Sequence, residues 1–262
     1  EVRLDGEAQK GVYPKDVILE VLGRIRADGA VYKAIDFTGS YVEKLNVAGR
    51  MTICNMAVEM GAKTAYMQPN ADVLNYVDKR AVRPYEVQFT DPDFQYEESY
   101  VFDVSKIEPN LACPSSVENV HPLSEVVANG PIKLNQGYIG SCTGGRVEDI
   151  AIAAKILKGR HIPEYTRLIV VPASNEVMQE CMKAGYIQDL MNAGATITTP
   201  GCGACLGAHE GILAPGEVCI TSTNRNFPGR MGSTEALMYL ASPATVAASM
   251  VNGCITDPRE FL

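Results

Sequence analysis

Histidine is scarce in this chain. His121, His161 and His209 are the only three in 262 residues. Enzymes that move protons through imidazole usually carry more, and none of these three sits in a set with Ser, Cys and Asp or Glu that would make a nucleophilic triad. All three read as structural. A basic excess is also missing: the formal charge is −8, so no general surplus of Lys and Arg exists to neutralise nucleic-acid phosphates. A local basic pocket for a small anion stays open. The apolar runs are too short to span a bilayer. Eight cysteines are too few for a disulfide scaffold in a chain large enough to build a core without one. No secretory signal pattern is visible, so the expected compartment is reducing and cytoplasmic. An initiator Met is absent as well. The chain starts at Glu1, and Val2 and Leu4 already alternate like a strand, which leads us to expect that an amino-terminal portion is missing.

What is present alternates between helix and strand patterns, the signature of an α/β protein. Pro14 suits a first helical position, and Val17, Ile18, Val21, Leu22 and Ile25 follow with helical spacing. Gly29 is the expected left-handed cap. A strand is expected over 30–38 and a small-residue helix over much of 41–60, ended by Gly61. A short strand (64–67) and a short helix (72–80) follow. Residues 83–99 are polar and acidic and read as a surface excursion. The stretch 105–135 holds Pro109, Pro114, Pro122 and Pro131, and its Pro and Asn content suggests the boundary between two lobes. We therefore expect one lobe over 1–120, a boundary segment over 121–135 and a second lobe over 136–262. In the second lobe, strand patterns end at three loops: Gly140-Ser141-Cys142-Thr143-Gly144-Gly145, Pro200-Gly201-Cys202-Gly203-Ala204-Cys205-Leu206-Gly207 and Asn224-Arg225-Asn226-Phe227-Pro228-Gly229-Arg230. Ligands of open α/β sheets bind beyond the carboxyl ends of strands, so these loops are the candidate site.

The C-x-x-C pair alone fits zinc, redox and iron–sulfur chemistry. Gly203-Ala204 between its thiols gives little support to a thioredoxin-type pair. Cys142, Cys202 and Cys205 would supply three metal ligands. With His209 as a fourth they would make a zinc site. Without it they would leave one iron of a cubane open, to act as a Lewis acid on a substrate hydroxyl. Spacing leaves both open. The other five cysteines, Cys54, Cys113, Cys181, Cys219 and Cys254, lie among apolar residues and read as core. Arg225 and Arg230 on one loop suggest bidentate recognition of a di- or tricarboxylate. Asn55 and Glu59 are four apart and share a helix face in an otherwise small, apolar segment. A carboxylate buried there needs a partner or a ligand.

Taken together, these motifs resemble the aconitase superfamily. Thr52-Ile53-Cys54-Asn55-Met56-Ala57-Val58-Glu59-Met60-Gly61-Ala62, the three loops above and the ending Ile255-Thr256-Asp257-Pro258-Arg259 are similar, over essentially the whole chain, to the carboxyl-terminal part of the large subunits of 3-isopropylmalate dehydratase and homoaconitase. The resemblance implies two aconitase-like α/β/α lobes with mostly parallel sheets. It implies a [4Fe–4S] cluster on Cys142, Cys202 and Cys205, with Asn55 and Asn224 near its sulfurs. Glu59 would be an active-site carboxylate, and Arg225 and Arg230 would bind substrate carboxylates. The implied reaction is reversible dehydration and rehydration of a hydroxy acid: 3-isopropylmalate to 2-isopropylmalate in leucine biosynthesis, or homocitrate to homoisocitrate. The family's preceding region, about one domain in size, carries Asp–His and Asp–Ser–His motifs that have no counterpart here. Its general base is a serine on a swivelling domain, which in these enzymes is a small subunit. The chain alone is therefore expected to be inactive. The competing expectation is a fragment or binding module whose cysteine site is structural. An RNA-binding role, known for some relatives, fits the net charge poorly.

Overall fold

A computed structural model describes residues 1–262. The first sheet is built from β1 (Val2–Asp5), β2 (Ala34–Thr38), β3 (Thr64–Tyr66) and β4 (Tyr100–Asp103), in the order β3-β2-β1-β4, all parallel. Helix α1 (Pro14–Ile25) buries Val17, Ile18, Leu19, Val21, Leu22 and Ile25. Its first turn is closed by Asp16, whose carboxylate accepts from the Tyr13 N–H at 2.8 Å. The helix stops before Gly29. Arg26 takes the positive φ (77°) instead, and Gly29 serves a different need: a Cβ there would lie 2.1 Å from the Ile25 carbonyl oxygen.

The single helix expected over 41–60 is three pieces: α2 (Ser40–Lys44), α3 (Val47–Met56) and a 3-10 turn (Ala57–Met60). The break has a local cause. Asn46 caps α3 by accepting from Gly49 N at 2.9 Å. Buried Arg50 donates to the freed carbonyls of Val42 and Leu45 and to that of Gln68. Gly61, with φ 83°, ends the last piece as expected. After α4 (Ala71–Asp78), residues 79–99 carry no helix or strand and are largely exposed.

The second sheet has seven strands. Two short ones, β5 (Asn110–Ala112) and β6 (Val120–Pro122), precede α5 (Leu123–Ala128). Then come β7 (Gln136–Gly140), α6 (Val147–Leu157), β8 (Arg167–Val171), α7 (Asn175–Lys183), α8 (Tyr186–Asn192), β9 (Thr196–Ile197), β10 (Val218–Thr221), β11 (Leu237–Leu240) and α9 (Pro243–Asn252). The order is β6-β5-β11-β10-β7-β8-β9, with the last five parallel and β5 and β6 antiparallel. Both sheets are thus mostly or wholly parallel, as the α/β reading requires. The chain changes sheet between Asp103 and Asn110, so the 121–135 segment is not itself marked by a change of sheet.

Period-2 alternation divides the second sheet's residues between two cores. Ile139, Leu168, Val170 and Ile220 pack with Ala153, Ala154, Leu190, Ala247 and Met250 on the helical side. Tyr138, Ile169, Val171, Cys219 and Met238 pack with Ala204, Cys205 and Met231 on the other. The latter face is covered by the connections between β9 and β10 and between β10 and β11 rather than by a long helix. No helix of the chain is long and apolar enough to cross a membrane.

Candidate active site

After β7 the chain runs out through β8 and β9 on one side, then returns to place β10 on the other. The end of the sheet beyond β7 and β10 is therefore a topological switch point, the place where open α/β sheets bind ligands. Both loops carry residues singled out in the sequence. The β7 loop turns through Ser141 at φ 76°, which exposes Cys142 and buries Thr143. It is pressed against the β10 loop at Gly144, where a Cβ would lie 2.2 Å from Ser222 Oγ. Ser222 Oγ accepts from Gly140 N at 3.0 Å. Across this contact Asn224 Nδ2 reaches Cys142 Sγ at 3.6 Å.

The third loop follows β9. Its 3-10 turn, Gly203–Leu206, seats Ala204 and Cys205 in the core beneath the sheet and leaves Cys202 exposed. Tyr138 OH holds the turn by donating to the Cys202 carbonyl at 2.8 Å. Burial pushes the Cys205 thiol up, and the Arg230 guanidinium opposes that by charge and hydrogen bonding. Arg230 Nε is buried and has no hydrogen-bond partner.

The first lobe closes the site from the other side. Asn55 Nδ2 donates to the Cys142 carbonyl at 3.4 Å, so its amide meets the backbone of the loop while that of Asn224 meets the sulfur. Thr52 Oγ1 lies 3.5 Å from the Thr143 carbonyl. Glu59 sits on the 3-10 turn after α3, not on the helix itself. Both of its carboxylate oxygens accept from Arg225 Nε at 2.9 Å. The Glu59 side chain is 8% exposed and that of Arg225 38%. The buried carboxylate thus has the partner that its burial demands.

Four residues of this region escaped the sequence reading: Lys15, Asp16, Thr143 and Ser222. Lys15 is fully buried. Its ammonium donates to Thr143 Oγ1 (3.3 Å) and to the carbonyls of Ser222 (3.0 Å) and Thr223 (2.7 Å). Burial pulls it down to about 8, against the attraction of Cys142, Cys205, Asp149 and Glu59. Asp16 is pushed up by burial to about 7, against two backbone N–H donors, Tyr13 and Asn110. The available signal was a Lys-Asp pair in the first turn of a helix whose following residues, Val17 to Leu19, are apolar.

All eight cysteines are free. Cys181 and Cys219 are buried, while Cys54, Cys113 and Cys254 are half-buried. Burial raises Cys54 and Cys181 to about 11 and Cys219 to about 12, which keeps those thiols protonated and inert. The remaining three are the site's thiols. They do not converge on one point: no group of three or more His, Cys, Asp or Glu side chains is gathered closely enough for a single metal ion. His209 is exposed and faces Glu210 at 3.5 Å. A polynuclear centre, in which each thiolate holds a different iron, does not require such convergence.

A family model described as "Aconitase family (aconitate hydratase)" matches residues 1–253. The chain belongs to the aconitase family. Among its relatives, the 3-isopropylmalate dehydratase large subunit 1 of Methanopyrus kandleri is 51% identical over 264 residues, covering 100% of this chain and 62% of that protein. The probable methanogen homoaconitase large subunit of Methanothermobacter thermautotrophicus is 48% identical, covering 99% and 60%. The 3-isopropylmalate dehydratase large subunit of a Hydrogenobaculum species is 47% identical, covering 97% and 59%. The chain spans about 60% of the length of these relatives. A solved structure, the holo-form of Thermococcus kodakaraensis aconitase X, matches with a TM-score of 0.45 and 12% identity over 89% of this chain and 53% of that one. In this aconitase-family chain, the motifs lie far apart in sequence, yet Asn55, Glu59, Cys142, Asn224 and Arg225 meet where the two lobes abut.

Proposed function

We propose that the chain supplies the cluster-binding part of an iron–sulfur hydro-lyase that interconverts 3-isopropylmalate and 2-isopropylmalate by dehydration and rehydration, in the cytoplasm. Cys142, Cys202 and Cys205 would hold a [4Fe–4S] cluster. The residues present fit that group: three free thiols on two glycine-rich loops, an amide aimed at one sulfur, and a buried, unpartnered Arg230 Nε beside another. When bound, such a cluster offers an open iron that acts as a Lewis acid toward a substrate hydroxyl. The observation that carries the reading is the pair of contacts at the lobe junction, Asn224 on Cys142 and Arg225 on Glu59.

The protein's own contribution is binding and proton placement. Arg230 is half-buried, and its guanidinium suits one substrate carboxylate. Arg225, more than a third exposed, can bridge Glu59 and a second carboxylate. Glu59, held through both oxygens by Arg225, would exchange a proton with a departing or returning hydroxyl. Asn55 and Asn224 fix the Cys142 loop. The base that takes the carbon-bound proton would come from a small subunit carrying the swivelling domain, and further proton-handling groups from the large-subunit region that the relatives' greater length contains. Relatives named "large subunit" support such a partner. The chain alone is thus expected to be inactive.

Anaerobic reconstitution tests the reading. Iron and acid-labile sulfide at about four each per chain support it; one zinc per chain with no sulfide overturns it. A second substrate reading rests on the 48%-identical relative named as a homoaconitase subunit. Turnover of homocitrate rather than 3-isopropylmalate by the assembled enzyme would favour it.

A further inference from the structure

We propose that Lys15 is a positioning residue that sets which way the Asn224 amide faces, acting through the hydroxyl of Thr143. The argument is one of donors and acceptors. An ammonium has three N–H groups and accepts nothing. Those of Lys15 are matched by three acceptors: Thr143 Oγ1, Ser222 O and Thr223 O. Thr143 Oγ1 is therefore an acceptor toward Lys15, and its single hydrogen points elsewhere. Asn224 Oδ1 is its nearest acceptor. Ser141 Oγ, at 3.3 Å, and Ser222 O, at 3.5 Å, are more distant. A hydroxyl that donates to Asn224 must meet the amide's oxygen. The NH2 group then faces the other way, onto Cys142 Sγ.

The chain of bonds runs from ammonium to hydroxyl to amide to sulfur, each link fixing the sense of the next. A neutral hydroxyl without Lys15 could turn either way, and the amide could rotate to place its oxygen against the sulfur. Lys15 belongs to the first lobe's α1, whereas Thr143 and Asn224 lie on two loops of the second. The packing of the lobes is thus linked to the polarity presented at Cys142. The functional weight of this rests on the reading of Cys142 as a cluster ligand; the orientation itself does not.

The test uses the 262-residue chain without metal and reads the Asn224 side-chain amide by 15N–1H NMR, assigned by its loss in Asn224→Asp. In the unaltered chain its protons should exchange with solvent at least about tenfold more slowly than those of an exposed Asn. Thr143→Val keeps the shape and removes the hydroxyl, and should abolish that protection. Thr143→Ser should keep it. Lys15→Met should behave as Thr143→Val, and combining the two should add little beyond either alone. Should Lys15→Met fail to fold, Lys15→Gln takes its place, since its amide can accept from Thr143 as well as donate to it; protection as high as in the unaltered chain in the Lys15 variant overturns the part given to Lys15. Equal protection in Thr143→Val and Thr143→Ser overturns the proposal. Protection that follows the hydroxyl in a chain that then binds no cluster upholds the orientation and removes the ligand reading instead.

Discussion

The two cysteine loops are built differently. The β7 loop, which carries Cys142, is held on every side. Lys15, Thr52 and Asn55 reach it from the first lobe, and Ser222 and Asn224 from β10. The β9 loop, which carries Cys202 and Cys205, is anchored mainly from below, by Cys205 and Ala204 in the core and by Tyr138 OH. Its rim, from Leu206 to Glu210, is exposed. The first loop is positioned by both lobes, and the second by its own sheet. In consequence the exposed thiol of Cys142 depends on how the lobes pack, and those of Cys202 and Cys205 do not.

The largest effect should come from the thiols themselves. Cys142→Ser, Cys202→Ser and Cys205→Ser should each lower retained iron by more than about tenfold after anaerobic reconstitution and desalting, since a hydroxyl is a far poorer ligand than a thiolate. Retention of iron by any one of them would remove that residue from the ligand set.

The lobe contact has a pH signature. Burial raises Asp16 to about 7 and Asp149 to about 6, in both cases against backbone N–H donors. Each carboxyl binds its proton more tightly in the folded chain than in the unfolded one. The cost of ionising Asp16 is therefore absent below about pH 4 and fully present above about pH 7, so stability falls as pH rises through that window. The drop should be on the order of 4 kcal/mol for Asp16. Urea titrations at a series of pH values should show that slope in the parent chain and a much flatter one in Asp16→Asn.

Removing Arg225 leaves Glu59 buried without its partner. Loss of one member of a fully buried pair costs about 3–5 kcal/mol. Arg225 is partly exposed, so Arg225→Ala should cost nearer about 2 kcal/mol at neutral pH, read as a lower urea midpoint. Adding Glu59→Gln should restore part of that loss, because the stranded charge is gone.

A glycine pair contrasts the two loops most directly. Gly144→Ala puts a Cβ against Ser222 and should cost about 1–3 kcal/mol. Gly201→Ala meets nothing within 4 Å at a φ open to any residue, and should change thermal stability by no more than about 0.5 kcal/mol. Equal costs would mean that the loops are equally constrained.

Much of this is legible in the sequence. The strand ends at Gly140, Ile197 and Thr221 could be read to within about two residues, because the strand patterns there stop at Gly, Pro or Asn. The break at Leu45–Asn46 could not, because it depends on Arg50, a side chain whose burial is decided by carbonyls that come free only once the helix breaks. Strands β5 and β6 are three residues each and lie among prolines, too short for a period to register. Lys15 was invisible for another reason. A Lys beside an Asp in a first helical turn usually faces water, and only the second lobe, packed over α1, turns it inward.

The central claim is that three thiols on these two loops hold a four-iron centre with one iron left open. The 57Fe Mössbauer spectrum of the anaerobically reconstituted chain tests it most directly. The account predicts one iron distinct from the other three, its signal altered by added 3-isopropylmalate or homocitrate. Four indistinguishable irons, or a mononuclear iron signal, would contradict it.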